Sequence, residues 1–190
     1  MMTALPPYLF PSVAWFAQGV RMGKLRVAMG GRFEKQTCRS RYKIAGPNAL
    51  QMLSVPIVHG HGGCFAEVQI SRAHKWDKEH IRAWETAYGN SPFYEFYDYR
   101  LLPLLTDTSL SLQELVMRSI VKLKNELKCP VELEFTDEFQ LTEPDMEITP
   151  YPQVFDDRFG FRPDVSALDL LFNLGPESGD YLRQYAERGG

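Results

Sequence analysis

The spacing of apolar positions changes several times along this chain, and each change marks an element. Residues 25–29 alternate apolar and charged side chains and end at Gly30-Gly31, which predicts a strand followed by a turn. Upstream, Tyr8, Leu9 and Phe10 lead into Pro11 as an extended, buried entry, and Val13, Trp15 and Phe16 open a short helix. Ser12 precedes them, and its hydroxyl can accept from an unpaired amide of the first turn. Residues 33–44 are predicted as an extended segment, punctuated by a loop at Gly46, Pro47 and Asn48. Residues 50–58 and 64–70 are predicted as two strands of a hairpin joined through His59-Gly60-His61-Gly62-Gly63, where glycine supplies positive φ.

The period then becomes helical. Trp76, His80, Trp84 and Tyr88 recur at four-residue steps with Ile81 beside them, which places them on one face of a helix over 76–88. Gly89-Asn90 closes it, and Ser91-Pro92 begins a second helix over 93–105. Ser111 and Glu114 match a capping box opening a third, whose buried stripe is Leu112, Leu115, Val116, Ile120, Leu123 and Leu127. Pro130 stops it, and 131–135 reads as a strand. Residues 136–150, with Asp137, Glu138, Glu143, Asp145 and Glu147, read as a solvated acidic loop. A short extended piece over 151–155 follows, then a final helix over 167–173 capped by Ser166 and ended by Gly175-Pro176. Together these elements predict a single α/β (α+β-like) domain over residues 1–190, with an antiparallel-rich sheet covered by helices. Hairpin turns, rather than repeated βαβ units, carry that expectation.

Composition narrows the function classes. The 190 residues are 44% hydrophobic and 13% aromatic, which supports a packed core and excludes wholesale disorder. A net charge of -3 and a pI near 5.8 argue against a constitutive nucleic-acid binder, which needs a basic face for phosphates. Three cysteines with no CxxC pair form no disulfide framework, so a cytoplasmic, reducing location is expected. No apolar run is long enough to span a bilayer, and the N-terminal apolar stretch lacks a basic n-region, so neither membrane insertion nor export is expected. A Walker A loop, GxGxxG, HExxH and GxSxG are all missing, which disfavours the enzyme types those motifs mark.

Several residues carry candidate chemistry. Lys35, Arg39 and Arg41, with Gln36 between them, would fall on one side of an extended segment and suit a phosphate or carboxylate. The competing account is a charged edge strand that resists aggregation. His80 is the acid/base candidate because an imidazole titrates near neutrality. Equally, it fits a buried histidine bonded to a backbone carbonyl or to Asp77. Tyr88 and Tyr151 offer hydroxyls to the same pocket or to the core. Asp169 and Asn173 lie four apart on one helix face, placing a carboxylate and an amide at a pocket mouth near Gln153, or simply pairing with each other. His59, His61 and Cys64 are ligand types in a glycine-rich loop, but only three are local and the loop is a natural hairpin turn, so no metal or other cofactor is expected. No signature pairs Cys38 or Cys64 with His80 as a nucleophile and base.

Three blocks of residues together resemble the WbqC-like family. The first is residues 11–16 (PSVAWF) with 33–41 (FEKQTCRSR) and 55–57 (VPI). The second is Ile70-Ser71 with Trp76, His80, Ala87-Tyr88, Ser91-Pro92-Phe93 and Tyr97. The third is residues 151–155 (YPQVF), Gly160-Phe161, and 166–173 (SALDLLFN) closing on Gly175-Pro176. Two positions depart from the family pattern: Glu34 stands where a glutamine is expected and Ser40 where an asparagine is. No basic residue follows Asp145 where one is expected. The resemblance implies a pathway, bacterial surface-polysaccharide (O-antigen-type) precursor biosynthesis, more than a reaction. Acyl or aminoacyl transfer to a nucleotide-linked amino-sugar is the leading expectation, with His80 and Asp169 as catalytic groups. Lys35, Gln36, Arg41, Tyr88, Tyr151, Gln153 and Asn173 would then bind an anionic, small-molecule substrate. The alternative is a non-catalytic nucleotide-sugar-binding or scaffold protein of the same pathway. Lys35, Gln36, Arg41, His80, Tyr151, Gln153 and Asp169 are expected to converge on one concave pocket.

Overall fold

Ser12, Ser111 and Ser166 each start a helix by the same physics: a side-chain oxygen accepts from an amide that the first turn leaves unpaired. Ser12 Oγ takes the Trp15 amide at the head of α1 (Val13–Arg21), and Ser166 Oγ takes the Leu168 amide at the head of the last long helix. Ser111 and Glu114 form the reciprocal capping box. The computed structural model describes residues 3–58, 63–137 and 140–186. The connection bearing His59 and His61, and Glu138 of the acidic stretch, lie outside the described residues.

In chain order the remaining elements are β1 (Thr3–Ala4), β2 (Lys24–Ala28), β3 (Arg41–Ala45), β4 (Leu50–Ser54), α2 (Trp76–Tyr88), α3 (Tyr94–Thr106), α4 (Leu112–Glu126), β5 (Glu132–Thr136), β6 (Gln140–Leu141), α5 (Asp156–Phe159), α6 (Ala167–Leu174) and α7 (Ser178–Arg183). β2 runs parallel to β5, with Lys24 opposite Glu132 and Ala28 opposite Thr136. β1 runs parallel to β6. Just past β1, Leu5 donates to Arg26 O at 2.7 Å and accepts from the Ala28 amide at 2.9 Å, which ties β1 to β2. β3 and β4 form an antiparallel hairpin.

The expected antiparallel-rich sheet is therefore corrected: among the described residues, parallel pairs outnumber the antiparallel one. Parallel strands need a crossover, and α1 supplies it between β1 and β2. Close contact of that crossover with its strand depends on Gly19, where a Cβ would overlap Leu25 Cδ2. The hairpin also falls one element earlier than expected, across the turn at residues 46–49, with Arg41 opposite Ser54 and Ala45 opposite Leu50. Residues 64–70 instead carry a short 3-10 turn at Phe65–Glu67 and meet the preceding segment at the antiparallel Ile57–Ile70 bridge, where Val58 donates to Gln69 O and Ser71 to Pro56 O. Residues 33–40 are turns rather than strand.

One continuous apolar core joins these parts. Trp15 and Phe16 of α1, Ile44 of β3, Trp84 and Tyr88 of α2, Ile120 and Leu123 of α4, and Leu168, Leu171 and Phe172 of α6 all belong to it. No helix among the described residues is long and apolar enough to cross a membrane.

Candidate functional site

β3 sorts its side chains by alternation. Tyr42 and Ile44 are buried, while Arg41 and Lys43 point to the opposite face. On that face a cavity of about 230 Å³ opens between β3, the entry segment at Tyr8–Ser12, Cys38, and the segments carrying Glu143 and Asp164. Its charges are arranged in pairs. The Tyr8 hydroxyl donates to Glu143 Oε2 at 2.5 Å, and Lys43 Nζ pairs with Asp164. Arg41 lines the same cavity and makes no ion pair among the described residues. Ser12 and Ser166, the caps of α1 and α6, also form its wall. The positive ends of both helix dipoles therefore face it. The Val13 and Ala167 amides are already bonded to Val165 O and Pro11 O, so these helices contribute field rather than free donors.

The cavity is thus neutral in formal side-chain charge but has one unpaired guanidinium in a positive field. That favours an anion at Arg41, with Glu143 and Asp164 left to accept hydrogen bonds from hydroxyl or ammonium groups. Burial raises the pKa of the Tyr8 phenol, and the Glu143 carboxylate raises it further, so the proton stays on Tyr8. Desolvation by the cavity wall raises the pKa of the Cys38 thiol although the residue is exposed overall, the opposite of the lowering that activates a thiol nucleophile.

His80 sits behind this strand, on its Tyr42 side. The Tyr42 hydroxyl accepts from Trp84 Nε1 at 2.9 Å and so donates to His80 Nδ1, also at 2.9 Å. Nε2 then carries the ring proton, 3.3 Å from Ser54 O. Burial lowers the imidazole pKa to about 4, which keeps it neutral at pH 7. Both ring nitrogens are occupied by protein.

Asp169 organises a second cluster. Its Oδ1 accepts from Tyr151 Oη at 2.8 Å and from Gln153 Nε2 at 2.9 Å. Asn173 Nδ2 donates to the Asp169 carbonyl at 2.8 Å, and the Tyr88 hydroxyl lies against the carboxylate. Gln153 also brackets Arg162, giving to its carbonyl at 3.0 Å and taking its amide at 2.8 Å. Asp169 Oδ2 has no hydrogen-bond partner of good geometry, and burial pushes the carboxyl pKa up to about 6.

The expected single pocket is accordingly corrected. Tyr88, Tyr151, Gln153, Asp169 and Asn173 do gather, but in the interior. Arg41 lines the cavity, and His80 lies across the strand from it. Lys35 and Gln36 are exposed on a turn, with Gln36 at φ 64°, because residues 33–40 fold back instead of extending. Arg39 is buried, donating to Arg32 O at 2.7 Å with its guanidinium over Phe65. Of the cavity residues the sequence reasoning missed, Lys43 had a signal, since it stands two after Arg41 on an alternating strand. Tyr8, Glu143 and Asp164 had none, because their partners lie far off in sequence.

No curated protein and no solved structure matches the chain. The first two sequence blocks fall inside the stretch that a known family covers, and the third, from Tyr151 onward, falls outside it. Residues 6–149 match the WbqC-like protein family, and the chain belongs to that family.

Proposed function

We propose that the protein acts in cytoplasmic biosynthesis of a bacterial surface polysaccharide, holding a nucleotide-linked or phosphorylated amino-sugar in the Arg41 cavity for acyl or aminoacyl transfer. The observation that carries this reading is the unpaired Arg41 guanidinium beside two carboxylates in one cavity. Arg41 takes a phosphate oxygen pair, for which its fork is shaped. Glu143, held by Tyr8, accepts the amine proton as the new carbon–nitrogen bond forms and the acyl leaving group departs. A volume of about 230 Å³ sits below the range of ~300–1,000 Å³ typical of drug-sized ligands. It suits one sugar ring, with any nucleotide extending outward. His80 and Asp169 act in this reading as positioning residues, fixing Tyr42 and the base of α6.

A second reading is a binding protein of the same pathway without turnover. It is favoured by the raised Cys38 thiol and the enclosed His80, which leave the cavity without an activated nucleophile. Incubation with a panel of nucleotide amino-sugars and acyl donors, read by mass spectrometry, separates the two. A mass shift abolished by Glu143→Gln supports transfer, and ligand binding with no shift supports the second reading. Binding that survives Arg41→Gln undiminished would exclude both.

A further inference from the structure

The tip of the β3–β4 hairpin overhangs the exposed side of α2, and an open groove of about 750 Å³ lies between them. Its α2 wall carries Lys75, Lys78 and Arg82, with Glu79 among them. None of the four is buried, and none makes an ion pair among the described residues. Spacings of three and four residues put the three cations on one stripe, spanning roughly 10 Å of helix axis.

That arrangement is electrostatically unfavourable when empty. Lys78 and Arg82 are like charges one turn apart, which repel. Lys75 is the cap of α2 and Lys78 lies in its first turn, at the end where the helix dipole favours anions. Asp77 and Glu79 offset part of this, but Asp77 is not on the groove wall. The wall therefore sets three cations against one carboxylate. Across the groove, Asn48 and Gln51 supply neutral hydrogen-bonding groups and no charge. Exposed lysines on a convex helix face would be ordinary; here they face a concavity whose other side can bond an anion without repelling it.

We propose that this groove is a second ligand site, for a diphosphate-type anion bound by Lys75, Lys78 and Arg82. It stands apart from the Arg41 cavity, because α2 packs on the Tyr42 face of β3 and Arg41 points to the other. The span of the three cations matches two or three linked phosphates better than a single carboxylate. The proposal does not depend on the reading of the Arg41 cavity.

Calorimetric titration with inorganic pyrophosphate, UDP and ADP tests it on Arg41→Gln, whose first cavity lacks its guanidinium, and on that chain further carrying Lys78→Gln/Arg82→Gln or, as a charge-matched control at exposed arginines outside both cavities, Arg158→Gln/Arg183→Gln. Pyrophosphate should bind Arg41→Gln, weaken steeply with added NaCl, lose at least tenfold in affinity when Lys78 and Arg82 are also replaced, and be unchanged by the charge-matched control. Nucleoside diphosphates binding no tighter than pyrophosphate would assign the site to the anion alone, and tighter binding would extend it to the nucleoside. Unchanged thermal melts show that the variants are folded. The proposal fails if none of the three ligands binds Arg41→Gln, or if replacing Lys78 and Arg82 in that chain leaves binding intact. Equal loss in the charge-matched control, meaning diffuse attraction, also overturns it.

Discussion

His80 and Asp169 are both enclosed by the core, and burial penalises the charged form of each, so their pKa values move in opposite directions. His80 falls to about 4 from an unfolded value of ~6.5. Its contribution to stability is present above pH ~6.5 and is lost as pH falls through 4. Asp169 rises to about 6 from an unfolded value of ~3.9. Its contribution is present below pH ~3.9 and is lost as pH rises through 6. Each shift corresponds to on the order of 3 kcal/mol, so across pH 4 to 6 the two nearly cancel in the wild type. Single variants should unmask the slopes. Relative to wild type, Asp169→Asn should gain stability as pH rises from 4 to 6, and His80→Gln should lose it. Urea midpoints at pH 4.5 and 6.5 read this directly, and three parallel profiles would refute it. His80→Gln keeps an acceptor for Tyr42 and a donor for Ser54, so it should remain folded at neutral pH.

At the scale of elements, helix ends give the clearest tests. Ser111→Ala removes one half of the capping box and should cost about 1 kcal/mol, measured as a lower denaturation midpoint, while Ser111→Thr should recover most of it. Gly175→Ala should cost more, roughly 2 kcal/mol, because φ there is +51° and a Cβ would lie 2.5 Å from the Phe93 ring. Equal effects of the two substitutions would show that the α6 end tolerates a side chain. These helix signals were legible because they are local. Ser12, Ser111 and Ser166 stand within three residues of the amides they cap, and Trp76, His80, Trp84 and Tyr88 mark the buried face of α2 by spacing alone. The strand pairing was not legible. β2 finds β5 more than a hundred residues later, and nothing in five alternating residues names that partner or its direction. Lys35, Arg39 and Arg41 stand at even spacings that would share one side of an extended segment, yet Gln36 adopts a left-handed φ and turns the chain back. The candidate cavity was hidden for the same reason as β5: Tyr8 with Glu143 and Lys43 with Asp164 are contacts over 135 and 121 residues.

At the scale of the whole molecule, the family match ends at residue 149, but the physical unit does not. Helix α6 lies in the centre of the core, with Leu168, Leu170, Leu171 and Phe172 at 0% exposure, and Leu182 and Tyr185 beyond it are equally enclosed. Each such side chain contributes ~1.5–3 kcal/mol on burial, so the six together supply on the order of 10 kcal/mol. Total stability is typically ~5–15 kcal/mol, which leaves nothing in reserve without them. The loss would also reach the candidate site. Ser166 bridges Ser12 and forms part of the cavity wall, and the Asp164 partner of Lys43 lies in the same stretch. A chain cut after Thr149 should therefore show no cooperative thermal transition, bind a dye for exposed apolar surface and have no affinity for an anionic sugar at Arg41. Calorimetry and dye fluorescence decide it. A sharp transition in the shortened chain would mean that residues 6–149 carry their own core and that α6 and α7 are an addition to it.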